Sequence, residues 1–207
     1  MTERRRRRGP RGDITAATLI SAAEEVLDAR GPDGLTLRAV AEAADVTPNV
    51  LYTYFDGMAD LRHRVADTFL GRIDLSPLDN PRPPAGLRTF LRLLLKALHD
   101  SPGQARLLST QRVAGEHALA LNEALLDFFI DRVGHSPRMA AGMTTLLTEW
   151  VHGRVLLSPS NPATADFTTA MSRLHLEKYP RTTAMLSGAE GDEAMAQLIR
   201  ITTTPIS

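Results

Sequence analysis

Between Gly34 and Leu61 the chain interrupts itself so often that only short helices joined by tight turns fit. Thr36 stands where it can cap a first helix running to about Ala43, its hydroxyl accepting from a backbone N–H that the helix leaves unpaired. Ala44-Asp45-Val46 then reads as a sharp turn, in which Asp tolerates a left-handed backbone. Thr47-Pro48 sets a capping hydroxyl before a proline at the first helical position. The helix it opens is short, because Phe55-Asp56-Gly57 ends it. Two helices joined by so brief a turn predict a helix-turn-helix, whose second helix can enter a DNA major groove.

The apolar spacing agrees. Leu37, Val40, Ala41 and Ala44 share one face of the first helix, and Val46, Val50, Leu51 and Phe55 can close the same small core. Pro48, Asn49, Tyr52, Thr53 and Tyr54 are left facing outward. Such a surface is poor at burying itself and well suited to hydrogen bonding with phosphates and base edges.

At these residues the chain resembles the TetR/AcrR family of bacterial transcriptional repressors. The matching pattern begins at Leu19-Ile20-Ser21-Ala22-Ala23 and continues through Gly31 and Gly34-Leu35-Thr36. It takes in Val40-Ala41, Val46-Thr47 and Leu51-Tyr52-Thr53-Tyr54-Phe55, ending at Leu61, and so covers roughly the first third of the chain. A pattern in several parts is far more specific than an isolated helix-turn-helix. The resemblance implies an all-α homodimer. Its N-terminal three-helix domain binds a palindromic operator in double-stranded DNA, and its variable helical C-terminal domain dimerises and takes a small-molecule effector.

Carried over by position, the family's recognition helix falls on Thr47 to Tyr54. Tyr52 sits where a phosphate-contacting tyrosine is usual, and Pro48, Asn49 and Thr53 where bases or nearby backbone are touched. Thr36 and Arg38 match the start of the preceding helix, which also meets DNA in the family. There are two departures. Asp45 replaces the usual turn glycine, and Met58 stands where a lysine usually opens the fourth helix and reaches a phosphate.

The formal net charge of zero hides an uneven distribution. Arg4, Arg5, Arg6, Arg7 and Arg8, with Arg11, form a basic arm, whereas residues 12–73 carry five basic and ten acidic side chains, a net −5. Attraction to phosphate then has to come largely from the arm, a few arginines and neutral donors, with the arm laid along the backbone or minor groove. The bland alternative is a solubilising tail. No apolar segment follows the arginines, so a secretory signal is not expected, and no apolar run is long enough to span a bilayer. The absence of cysteine rules out disulfides, thiolate metal sites and cysteine nucleophiles, and fits a cytoplasmic location.

Glycine and proline cluster at breaks and β-branched alternation is scarce, which predicts an all-α fold. A first helix is expected from about Ile14 to Arg30, started by Asp13 and ended by Gly31-Pro32, and a fourth from Met58 to Ile73. The proline-rich segment from Ser76 to Pro84 marks a stiff boundary between residues 1–74, the DNA-binding unit, and residues 85–207, the effector-binding and dimerisation unit. Further helices are expected at Ala85–Asp100, Gly103–Thr110, Ala114–Val133, Pro137–Leu157, Ala163–Tyr179 and Asp192–Ile201. The Pro137–Leu157 helix is apolar or small nearly all round, which predicts burial on two sides, one against Ala163–Tyr179 and a second copy.

No motif supports catalysis. Glu149 and His152 have Glu-x-x-His spacing, but a di-metal bundle needs a second such motif plus further carboxylates from other helices, and no other Glu-x-x-His occurs. Neither a phosphate loop, a nucleophile elbow nor a metal-ligand cluster is present, so no cofactor or metal is expected. An effector pocket belongs among the C-terminal helices, where inward-leaning polar and aromatic positions are His99, Gln111, Phe128, Thr144, Thr148, Trp150 and His152. Each serves equally well as a core residue or at a dimer seam. The Leu, Met, Phe and Thr around them suit a largely hydrophobic ligand with a polar handle. The combined reading is a ligand-responsive repressor. The rival is a helical small-molecule-binding or enzymatic bundle with a vestigial DNA-binding head, favoured by the acidic head and by Met58.

Overall fold

The structure, a computed structural model, describes residues 14–157, 162–188 and 191–204. The fold is all-α, with no strand among the described residues. Its helices are α1 (Ala16–Gly34), α2 (Leu37–Ala43), α3 (Pro48–Tyr54), α4 (Met58–Leu70), α5 (Pro83–Asp100) and α6 (Pro102–Thr110). They continue as α7 (Glu116–Asp127), α8 (Pro137–Leu156), α9 (Pro162–Met171), α10 (Pro180–Gly188) and α11 (Gly191–Thr203).

Local chemistry fixes the boundaries. Asp13 lies outside the described residues; the cap of α1 is Thr15, whose hydroxyl accepts from Thr18 N–H at 3.2 Å while Thr18 reciprocates to Thr15 N–H at 2.9 Å. Regular helix stops at Gly31 (φ 69°), as the Gly-Pro pair predicts, and a last turn runs on to Gly34. Pro83 and Pro84 occupy the first two positions of α5, where the missing N–H groups have no helical partner anyway, so α5 starts before Ala85. Ser136 caps α8, accepting from Met139 N–H at 3.3 Å. The helix expected at Ala114–Val133 begins later, at Glu116, and ends in a widened turn over Phe128–Arg132, with Val133 N–H reaching back to the Phe128 carbonyl at 3.1 Å.

Two hydrophobic cores result. The first gathers Leu19, Ala23, Leu27, Leu35, Val40, Leu51, Phe55, Leu61 and Val65 from α1 to α4. The second gathers Phe90, Leu91, Phe128, Phe129, Leu147, Val151, Leu198 and Ile199 from the C-terminal helices. α6 belongs to both: Leu107 is buried in the first, Ala105 in the second, and Leu108 packs against each. Its Gly103 lies so close to α1 that a β-carbon there would sit 2.6 Å from the Leu27 carbonyl oxygen.

Two helix boundaries differ from expectation. The segment Ala163–Tyr179 is not one helix: α9 ends at Met171, a short turn spans Leu176–Lys178, and α10 starts at Pro180. Its Phe167 (54% exposed) and Leu174 (58%) lie open, as a surface awaiting cover would. Leu119 is 70% exposed on α7. α4 closes at Leu70, short of Ile73.

Candidate nucleic-acid interface

The turn between α2 and α3 is built as its sequence predicts. Thr36 Oγ1 accepts from Ala39 N–H at 3.2 Å, and Asp45 adopts φ 53°, the left-handed conformation that glycine usually supplies. Val46 N–H closes the turn on the Ala41 carbonyl at 2.9 Å. Leu51 and Phe55 are 0% and 2% exposed and anchor α3 in the first core. From the opposite side Pro48, Asn49, Tyr52 and Thr53 face solvent, with Tyr52 63% exposed. Thr36, Arg38 and Thr47 are exposed on the same stretch.

Two side chains behave differently from expectation. Thr47 has extended cap backbone, yet its hydroxyl makes no capping bond; Pro48 already removes one of the donors a cap would satisfy. Tyr54 is half-buried rather than outward, and its hydroxyl donates to the Ile14 carbonyl at 2.7 Å. It ties the entry of α1 to the end of α3, a contact across 40 residues that no local pattern signals.

The arginines of α4 are occupied within the protein. Arg64 pairs with Asp60 at 3.0 Å and lies 5.4 Å above the Phe55 ring, and Arg62 donates to the Pro32 carbonyl at 3.4 Å. Arg72, just beyond the helix, pairs with Glu24 at 2.8 Å. Partial burial works against the Asp60 charge. The Arg64 hydrogen bond, the Asp56 N–H and the charges of Arg64 and His63 outweigh it and hold this carboxyl below the usual range. Met58 packs half-buried on the first core and brings no cation. Glu25, Asp28, Asp33, Glu42, Asp45 and Asp56 are all exposed on this acidic unit. Arg4 to Arg8 lie outside the described residues.

The residues named for an effector do not share one environment. His99 and Thr148 are exposed, against expectation: His99 follows the buried Leu98 onto the outer face of α5, and Thr148 turns its hydroxyl back to the Thr144 carbonyl at 2.9 Å. Phe128 is a core residue, edge-on to Phe129 at 5.1 Å. Trp150 and His152 are half-buried on α8. Thr144 Oγ1 and Gln111 Nε2 are buried with no hydrogen-bond partner among the described residues, an unusual state for polar atoms. A groove of about 400 Å³ lies elsewhere, between α1 and the end of α2, lined by Ile14, Thr18, Ser21, Glu25 and Ala43 among others.

With this geometry in view, comparison with known proteins is informative. Residues 19–65 match the sequence profile of bacterial regulatory proteins of the tetR family. An HTH-type transcriptional regulator of Saccharopolyspora erythraea is 30% identical over 110 residues, which are 53% of this chain and 47% of that protein. The HTH-type transcriptional repressor DrrR1 of Streptomyces coeruleorubidus is 35% identical over 80 residues, 39% of this chain and 28% of that protein. The matches thus span half or less of these relatives. In fold the chain is similar to apo ActR of Streptomyces coelicolor, with a TM-score of 0.79, 17% identity, and coverage of 94% of this chain and 97% of that one. ActR, a TetR family protein, is also known in complex with actinorhodin, and that structure aligns with a TM-score of 0.73 over 92% of this chain and 95% of that one at 18% identity. The matched segment coincides with the helices that build the turn, from α1 into α4, and it is this N-terminal segment that is similar to bacterial regulatory proteins of the tetR family.

Proposed function

We propose that this protein is a ligand-responsive transcriptional repressor that binds a palindromic operator in double-stranded DNA as a homodimer and leaves it when a small-molecule effector binds. Residues 1–74 are the DNA-binding unit and residues 85–207 the effector-binding and dimerisation unit. The observation that carries the reading is the two-sidedness of α3: Leu51 is fully buried while Tyr52 beside it is 63% exposed. A helix anchored on one side, with a phenol, an amide and hydroxyls in solvent on the other, offers the donors that phosphates and base edges need. Tyr52 then contacts a phosphate, while Thr47, Pro48, Asn49 and Thr53 meet bases or adjoining backbone. Thr36 and Arg38 add contacts from α2. With α4's arginines occupied, Arg4 to Arg8 supply most of the attraction.

The other half of the reading rests on the C-terminal helices. Leu146 (39% exposed) and Leu156 (45%) on α8, with Phe167 on α9, support a second copy covering this face, and two-fold symmetry suits a palindrome. The unpartnered polar atoms of Thr144 and Gln111 suit the polar handle of a largely hydrophobic effector. The binding of actinorhodin by ActR and the repressor role in the name of DrrR1 point the same way. Among the described residues no helix is long and apolar enough to cross a membrane, and the work of a repressor is cytoplasmic.

A gel shift of the purified protein on DNA from upstream of its own gene tests this. The parent is expected to shift the fragment, and Tyr52→Ala to bind roughly ten- to hundredfold more weakly, as loss of a hydrogen bond to a charged phosphate implies, with an unchanged melting temperature. A well-folded parent that shifts no duplex at low salt would favour the bundle with a vestigial head.

A further inference from the structure

The start of α7 is capped by a residue of α4. Its own N-cap, Gly115, has no side chain to offer, and the first N–H groups of a helix need acceptors. Asp67 supplies them: Oδ1 accepts from Ala118 N–H at 2.8 Å and Oδ2 from His117 N–H at 3.4 Å. One turn earlier on α4, His63 Nδ1 accepts from Ala114 N–H at 3.2 Å. One turn later, Gly71 leaves room for the His117 ring, which a β-carbon would approach to 2.7 Å. Residues 63 and 67 of α4, with Gly71 at its C-cap, thus form a single stripe that grips residues 114–118. Gly115 is itself part of the fit, since a β-carbon there would collide with the Asp67 carboxyl group. The negative charge of Asp67 also faces the positive end of the α7 dipole.

We propose that Asp67 is a positioning residue. By serving as the cap of a helix in the C-terminal core, it holds α4, and with it α2 and α3, in register with that core. An ordinary cap on α7 itself would stabilise the helix equally well but would join nothing. The inference rests on the proposed function only for what the positioned surface does; the joint exists whether or not DNA is the ligand.

Relocating the cap separates joining from stabilising. Asp67→Ala removes both effects, whereas Asp67→Ala combined with Gly115→Asp returns a carboxylate to α7 from its own N-cap. There the backbone is extended (φ 176°) and accepts any residue. The chain has no cysteine, so single cysteines at the exposed Glu42 of α2 and Glu123 of α7 take spin labels cleanly. Dipolar distances are read with labelled protein diluted into unlabelled. The double variant is expected to melt with the parent yet show a broader distance distribution, and to bind the upstream DNA fragment about tenfold more weakly, within the usual range of coupling between sites. A double variant with the parent's melting temperature and the parent's distance distribution would overturn the proposal, leaving Asp67 as a cap and nothing more. Should the parent itself ignore DNA, the functional reading fails while the distances still decide the joint.

Discussion

Leu51 and Tyr52 are adjacent and answer to opposite demands. Leu51→Ala is expected to cost about 2–5 kcal/mol in urea unfolding, because it empties a fully buried site. Tyr52→Ala, at a 63% exposed position, leaves that stability in place and acts on DNA alone. Asp60 carries a pH signature. Its folded pKa lies below the ordinary 3.8, so its carboxylate stabilises the fold above that value, and the contribution is lost as pH falls through the lowered one. Asp60→Asn should therefore melt lower than the parent at neutral pH, by no more than about 1 kcal/mol for a pair this exposed. The difference should close as pH falls through that lowered value; a gap that persists in acid would mean that Asp60 acts by packing. At this scale the sequence was most legible where chemistry is local. The Thr36 cap and the left-handed Asp45 follow from neighbours, whereas the Tyr54 hydroxyl finds its acceptor 40 residues away.

Helix starts marked by Ser or Thr before Pro, and stops marked by Gly-Pro, were readable because each is decided within one turn of chain. What joins helices was not. Gly103 reads as an unremarkable residue near a helix start, yet it is the point where α6 meets the α1 backbone, since a β-carbon there would lie 2.6 Å from the Leu27 carbonyl oxygen. Gly103→Ala is expected to destabilise by about 1–3 kcal/mol, as overpacking does, and to separate α6 from α1. Urea unfolding checks the first effect and amide exchange along α6 the second. The break of the Ala163–Tyr179 segment was hidden for a related reason. Its apolar spacing suits a helix, but Phe167 and Leu174 have little cover among the described residues to reward continuity. The cap on α7 was illegible altogether, since Asp67 precedes the N–H it satisfies by 51 residues.

For the molecule as a whole, the proposed DNA binding turns on charge and on the proposed two-fold symmetry. An acidic unit of net −5 preceded by six arginines requires the arm for affinity more than for sequence choice. Deleting residues 1–11 is expected to weaken binding to every duplex and to flatten the dependence of log K on log salt by several units, at most roughly 5, since each neutralised phosphate contributes about 0.9. An unchanged slope would make the arm a solubilising tail. The all-α fold class was foreshadowed by helical periodicity and punctuation. An effector pocket is harder to read in a sequence, because pocket and core draw on the same residue types. Hydroxyl-radical footprinting on the upstream duplex bears most directly on a symmetric reader of DNA. Two matching protected patches, spaced by a whole number of helical turns and lost together in Tyr52→Ala, are expected. A single unpaired patch, or protection that Tyr52→Ala leaves intact, would contradict it.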